Sequence, residues 1–224
     1  MRNPLINLFD AYQASQGTVN LQIHSTSVTN TDSDSLYTNV LAERSSGYTF
    51  DIGLITSYLT KRNEWMVANC WYYGFILRYP DDKTSITGVD YMPHHFRYVG
   101  LPHSLIMYEN NYCLEEYLDY LKSYTIDQPL TYTTDDASYE IYYYAANSNG
   151  ETEVKIPKKD SYSISGNNTD GFIITVQKGA GEISGEAATD AATQDDNADA
   201  ASGDTATSND SEAATTEAAA DNEE

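Results

Sequence analysis

At 224 residues the chain has room for one sizeable domain and an appendage, but not for several large domains. Its net charge of −22 is uneven: Gly179 to Glu224 holds 13 acidic residues and no Lys or Arg, which leaves −9 on the body. An acidic body repels a phosphate backbone, so nucleic acid is excluded as a partner.

The start, Met1-Arg2-Asn3-Pro4-Leu5, opens no long apolar run, so neither a signal peptide nor a membrane segment is expected in this chain. The first helical pattern begins almost at once, and an export segment upstream of it is the expectation. Leu5, Leu8, Phe9 and Tyr12 fall at helical spacing, and Gly17 can end that helix. Val19, Leu21 and Ile23 alternate with polar residues as a half-buried strand, and Tyr48, Phe50 and Ile52 repeat the pattern. Trp65, Ala68, Trp71 and Tyr72 predict a helix ended by Gly74, followed by a strand over Phe75–Tyr79 and a turn at Pro80–Lys83. Tyr91 to Gly100 reads as a further strand, and Leu114, Tyr117, Leu118 and Leu121 as an amphipathic helix. The class is α+β.

Beyond residue 126 the pattern changes to short β-runs: Leu130–Thr134, Tyr139–Ala145, Glu153–Ile156, Tyr162–Ile164 and Phe172–Val176. Turn clusters at Asn147–Gly150 and Ser165–Thr169 separate them. A β-rich appendage over 127–178 is near the lower size limit for independent stability, so it is expected to pack on a first domain at 1–126. The segment 179–224 is Ala, Asp, Glu, Thr and Ser with almost no large apolar residue, and is expected to be disordered. Cys70 and Cys113 have neither zinc-finger nor redox spacing; they read as two buried free thiols or as one bridge.

Several runs in one order resemble the VanY-type D-alanyl-D-alanine carboxypeptidase family, which shares its fold with the hedgehog signalling domain. They are Asn63-Glu-Trp, Tyr73-Gly-Phe-Ile-Leu-Arg-Tyr-Pro80, Thr87-Gly88, His95-Phe-Arg-Tyr-Val-Gly100 and Leu114-Glu-Glu-Tyr-Leu118. The resemblance covers about residues 5–125 and implies a small antiparallel sheet flanked by helices. It also implies a zinc peptidase that removes a terminal D-Ala, with three protein ligands and a carboxylate base that activates water. The family takes these from two motifs, Ser-x-His-x-x-Gly-x-Ala-x-Asp and Glu-Pro-Trp-His.

The site motifs are altered here. By the resemblance, Asp51 and His95 stand at two ligand positions, Arg44 replaces the third ligand, Met92 replaces the general base and His94 replaces the Trp. The substrate-anchoring Arg of an early Ser-Gly-Tyr-Arg turn is replaced by Val28, and Arg97 and His94 are expected along the substrate cleft. A thioether cannot accept a proton, and loss of a positioned base costs on the order of 10²–10⁴ in rate. A guanidinium offers no lone pair to a metal, and at ~4 Å and an effective dielectric of ~20 it opposes a dication by roughly 8 kcal/mol. An ion pair between Arg44 and Asp51, a fixed cation in place of the metal, is therefore expected.

His24 is expected toward solvent or the cleft, His103 in a structural hydrogen-bonding role, and Cys70 in the core. The 20 tyrosines fill half-buried strand and helix positions or line a stacking surface for glycan or peptide. The sequence thus predicts a catalytically inactive domain that needs no cofactor and binds a peptidoglycan stem peptide or a cell-wall protein outside the cytoplasm. The alternative is an active zinc D-Ala-D-Ala carboxypeptidase with rearranged ligands, Glu43 or His94 acting as base.

Overall fold

In the computed structural model the described residues are 2–17, 23–24, 43–52 and 59–179. Val28 and the acidic segment from residue 180 onward lie outside them, as does most of the strand predicted from Val19. Among the described residues the chain forms two four-stranded antiparallel sheets.

The first sheet has the order β1-β2-β4-β3, built from β1 (Ile23–His24), β2 (Thr49–Ile52), β3 (Phe75–Leu77) and β4 (His95–Tyr98). Its faces differ because strand side chains alternate. Phe50, Ile52, Phe75 and Phe96 point one way and meet Leu8 and Tyr12 of helix α1 (Arg2–Gln16) and Met66 of helix α2 (Leu59–Asn69). Phe50 stacks on Phe96 at 5.4 Å and meets Phe75 edge-on at 5.3 Å. Each such ring contributes about 1.5–3 kcal/mol by leaving water. Asp51, His95 and Arg97 fall on the other face, which is where the polar cluster forms.

The helix predicted over Trp65–Tyr72 ends in a tightened 3₁₀ turn, Cys70–Tyr73, closed by Gly74 at φ +86. A Cβ at Gly74 would lie 2.8 Å from the Tyr98 ring and 3.1 Å from Gly100 Cα, so both the conformation and the close approach require glycine here. The predicted strand over Tyr91–Gly100 is shorter than expected. Met92 to His95 form a turn closed by the His95 N–H donating to Met92 O at 3.2 Å, and only His95 onward joins the sheet. The expectation that His94 and His95 are strand neighbours is corrected accordingly.

Three helices follow or interrupt this sheet: short α3 (Thr84–Thr87), α4 (His103–Asn110) and α5 (Leu114–Leu121). The start of α5 is fixed by Glu116, whose carboxylate accepts the Cys113 N–H at 2.9 Å, with Glu115 and Glu116 both in the favourable first turn.

The second sheet has the order β5-β6-β8-β7, from β5 (Leu130–Thr133), β6 (Ser138–Ala145), β7 (Ser161–Gly166) and β8 (Gly171–Lys178). The strand predicted over Glu153–Ile156 is absent: these residues join no ladder, and they are tied to the sheet by Tyr142 Oη donating to Lys155 O at 3.0 Å and by Val154, which packs against the cluster of Tyr142, Ile174 and Val176. Ile141 and Ile173 share one cluster with Ile76, Ile106, Met107, Tyr117 and Leu121, so the second sheet completes the core under α4 and α5. His103 links the layers: Nδ1 lies 2.8 Å from Tyr117 Oη and Nε2 2.8 Å from Thr175 Oγ1. Cys70 and Cys113 are free and buried.

Candidate functional site

The polar cluster begins with a tight return of the chain into β2. Ser46 Oγ donates to Glu43 O at 2.5 Å, Thr49 Oγ1 donates to the same carbonyl at 3.3 Å, and Gly47 takes φ +72. This turn brings Glu43 and Arg44 back over the polar face of the sheet. Asp51 is the direct register partner of His95, and Thr49 that of Arg97, so neighbouring strands deliver an acid and a base side by side.

Three of the residues singled out by sequence meet there. Arg44 Nη2 lies 2.5 Å from Asp51 Oδ2, while the other oxygen of Asp51 is hydrogen bonded to His95 Nδ1. His95 is fully buried and its ring is parallel to Tyr79 at 5.4 Å. Burial disfavours the imidazolium, but the bond to Asp51 and the nearby Glu43 outweigh it and raise the His95 pKa. His95 thus sits between two carboxylates that favour its charged form.

Glu43 is the centre of a second, unexpected network. Its Oε1 accepts from Arg78 Nε at 2.6 Å and sits 3.2 Å from Arg97 Nη1. Arg78 also binds Glu115 with two parallel bonds, at 3.0 and 2.6 Å, and its guanidinium lies 4.6 Å over the Tyr79 ring. Burial alone would raise Glu43, but His95, Arg78 and Arg97 together bring it down to about 2. Among the described residues its Oε2 finds no hydrogen-bond partner; His95 Nε2, likewise unpartnered there, is 3.8 Å away.

The remaining residues are placed less centrally. Met92 is on the turn before β4 and is tied there by its own N–H, which donates to Tyr79 O at 3.1 Å. His94 is half-buried on the same turn; its backbone carbonyl accepts from the Ile52 N–H at 3.0 Å, and burial, then His95 and Arg44, lower its pKa despite Asp51. Arg97 is committed to Glu43. His24 pairs with Asp51 in register.

A zinc ion does not fit the residues as arranged. Asp51 and His95, the two ligand types retained, are bonded to one another, and Asp51 is already neutralised by Arg44. Among the described residues no group of three or more His, Cys, Asp or Glu side chains is arranged to hold a metal ion. Sequence reasoning missed Arg78, Tyr79 and Glu115. The available signal was a lone Arg inside the apolar run Phe75-Ile-Leu-Arg-Tyr79, which a buried ion pair explains.

The family described as VanY, D-alanyl-D-alanine carboxypeptidase, matches residues 42–101. A D-alanyl-D-alanine carboxypeptidase of Enterococcus faecium is 47% identical over 144 residues, which are 62% of this chain and 45% of that protein. The bifunctional D-Ala-D-Ala dipeptidase and D-Ala-D-Ala carboxypeptidase VanXYC of Enterococcus gallinarum is 65% identical over 49 residues, 22% of this chain and 26% of that one. The chain spans less than half the length of these curated relatives. The crystal structure of the vancomycin resistance D,D-dipeptidase VanXYg, in complex with a D-Ala-D-Ala phosphinate analogue, is similar at a TM-score of 0.67 and 32% identity, with 79% of each chain covered. Among the described residues no helix is long and apolar enough to cross a membrane.

Proposed function

This chain belongs to the VanY-type D-alanyl-D-alanine carboxypeptidase family, and from that premise we propose that it is a non-hydrolytic member that holds a peptidoglycan stem peptide without cutting it. The observation that carries the reading is the Arg44 guanidinium 2.5 Å from Asp51, a fixed cation where the family places a metal. Met92 adds to it, because a thioether at the base position cannot take a proton from water. Asp51 and His95 are remnant ligands on this reading, and His94 and Arg97 belong to the cleft wall. The place of action is the cell wall, outside the cytoplasmic membrane. Binding of a stem peptide is supported by the similar VanXYg structure, which holds a D-Ala-D-Ala analogue.

An active zinc enzyme with Glu43 recruited as base gains support from one observation, the unpartnered Glu43 Oε2 close to His95. At about 2, however, Glu43 is too weak a base to activate water near neutral pH. The test is metal content together with hydrolysis. Purified protein should contain no stoichiometric zinc and release no D-Ala from a peptide ending in D-Ala-D-Ala, yet be retained on purified peptidoglycan. One zinc per chain with D-Ala release would overturn the non-hydrolytic reading, and absence of retention would overturn the binding role. The double substitution Arg44→His with Met92→Glu should restore zinc binding.

A further inference from the structure

The second sheet ends on β7, and among the described residues no strand pairs with the outer side of that strand. At 6 residues it is longer than the other edge strands β1, β3 and β5, and every residue after Ser161 is exposed. The run Ser161-Tyr-Ser-Ile-Ser-Gly166 holds no charge and no proline, two devices that ordinarily keep a sheet edge from pairing. The opposite edge of the same sheet, β5, packs Leu130 and Tyr132 on the core and exposes Thr131 and Thr133. β7 does the reverse. Its Tyr162 and Ile164 are 44% and 41% exposed, and they lie opposite Val176 and Ile174 at the rim of the cluster those two form with Tyr142.

The direction of its free backbone groups follows from the turn into β8. Asn167 N–H donates to Gly171 O at 2.9 Å, so the alternation of an antiparallel pair turns Ser165, Ser163 and Ser161 toward β8. The N–H and C=O groups of Tyr162 and Ile164 then point outward. The turn itself is fixed by Asn167 Oδ1, which accepts from the N–H groups of Thr169, Asp170 and Gly171 at 3.0, 3.0 and 2.9 Å. This edge is complementary to itself. With Ser163 on a two-fold axis, Tyr162 faces the partner's Ile164, and Ile164 the partner's Tyr162. Each such pair exchanges two backbone hydrogen bonds and sets an aromatic ring beside a β-branched side chain. Centring the axis on Ile164 would instead set Tyr162 against the partner's Gly166 and lose that side-chain match.

We propose that two copies of this chain pair through β7, antiparallel about Ser163, into one continuous sheet with four strands from each copy. The pairing does not rest on the non-hydrolytic reading, since it uses no residue of the cluster around Asp51.

A test specific to the register uses single cysteines in the full chain under a glutathione redox buffer. Ser163→Cys should cross-link into a covalent dimer, because a facing pair without mutual hydrogen bonds sets its Cα atoms about 4.5 Å apart, within disulfide reach. Ser165→Cys faces the partner's Ser161 and lies about 13 Å along the strand from its own counterpart, so it should stay monomeric. Cys70 and Cys113 are buried and do not compete. At about 0.15 M salt, which screens the net charge of −22 on each copy beyond roughly 8 Å, the parent should dimerise reversibly in sedimentation equilibrium. A strand pair this small belongs to the weak class of interface, so the transition is expected at about 0.1–1 mM. Ile164→Lys puts a charge on the edge and should raise the dissociation constant at least about tenfold. Ile86→Lys, at a comparably exposed apolar residue of α3, should leave it unchanged. The proposal is overturned if the parent stays monomeric throughout that range, or if Ser165→Cys cross-links as readily as Ser163→Cys. It is also overturned if Ile164→Lys dimerises like the parent or no worse than Ile86→Lys.

Discussion

Asp51 and His95 stand directly opposite one another on β2 and β4, joined by a hydrogen bond from the imidazole to the carboxylate. That carboxylate is 5% exposed and is neutralised on its other oxygen by Arg44. Arg44→Met should therefore lower stability by about 2 kcal/mol, less than for a fully buried pair because the Arg44 side chain is 19% exposed. Asp51→Asn in the same background should cost less than the two single effects added, since the partners share one interaction. Urea unfolding of the two single variants and the double variant checks this.

His103 makes stability depend on pH in a window set by its own burial. Desolvation in the layer between α4 and the second sheet lowers its pKa from the ordinary 6.5 to about 4, so between these values the unfolded chain binds more protons than the folded one. Stability should fall as the pH drops from 6.5 to 4, by about 3 kcal/mol in all, at roughly 1.4 kcal/mol for each pH unit crossed. His95 has the opposite sign: its pKa is raised, so its contribution is complete below 6.5 and is lost as the pH rises through the folded value. Urea midpoints against pH for the parent and His103→Gln should converge toward pH 4, the variant being the flatter of the two.

Much of the frame was legible in the sequence because it rests on local pattern. The alternation Tyr48-Phe50-Ile52 marks β2, and the spacing Leu114-Tyr117-Leu118-Leu121 marks α5. Helix α4 was not legible: Leu105, Ile106 and Met107 run together without helical spacing, and the element is fixed instead by contacts to β3 and the second sheet. The run Glu153–Ile156 has strand composition, but lies beside no free strand edge that it pairs with. In the site, the Arg44–Asp51 pair followed from simple charge logic. The Glu43–Arg78–Glu115 network did not, because its members lie 35 and 37 residues apart and only the fold brings them together.

Arg78 is the most costly single charge to remove. Its side chain is 8% exposed and holds two carboxylates, one of them 13% exposed. Arg78→Met should destabilise by about 3–5 kcal/mol, because it leaves Glu43 buried with less compensation. Glu115→Gln, at a side chain 34% exposed, should cost about 1 kcal/mol. Chemical denaturation of both variants gives the comparison.

Gly171 opens β8 opposite the end of β6. A Cβ there would lie 2.3 Å from Tyr144 O, a backbone atom held in the ladder, and 2.4 Å from the Tyr143 ring. Gly171→Ala should cost about 1–3 kcal/mol through overpacking, read as a lower thermal midpoint.

The thiols give an independent test of burial. Cys70 and Cys113 are 2% and 1% exposed, and burial raises their pKa values to about 12 and about 11. Neither should react with a thiol reagent in the native protein, and both should react in denaturant. Fast labelling of one of them without denaturant would show that its layer opens locally.

The bond from His103 to Thr175 spans 72 residues. During synthesis α4 and α5 leave the ribosome well before the strand that covers them, and Ile173 arrives only at the end. At ~5–20 residues per second, roughly 4 to 14 seconds separate the two ends of that bond. For that interval the helices pack on β3 but lack the part of their cover that Ile141 and Ile173 supply, so that side of the core stays open until the second sheet is made.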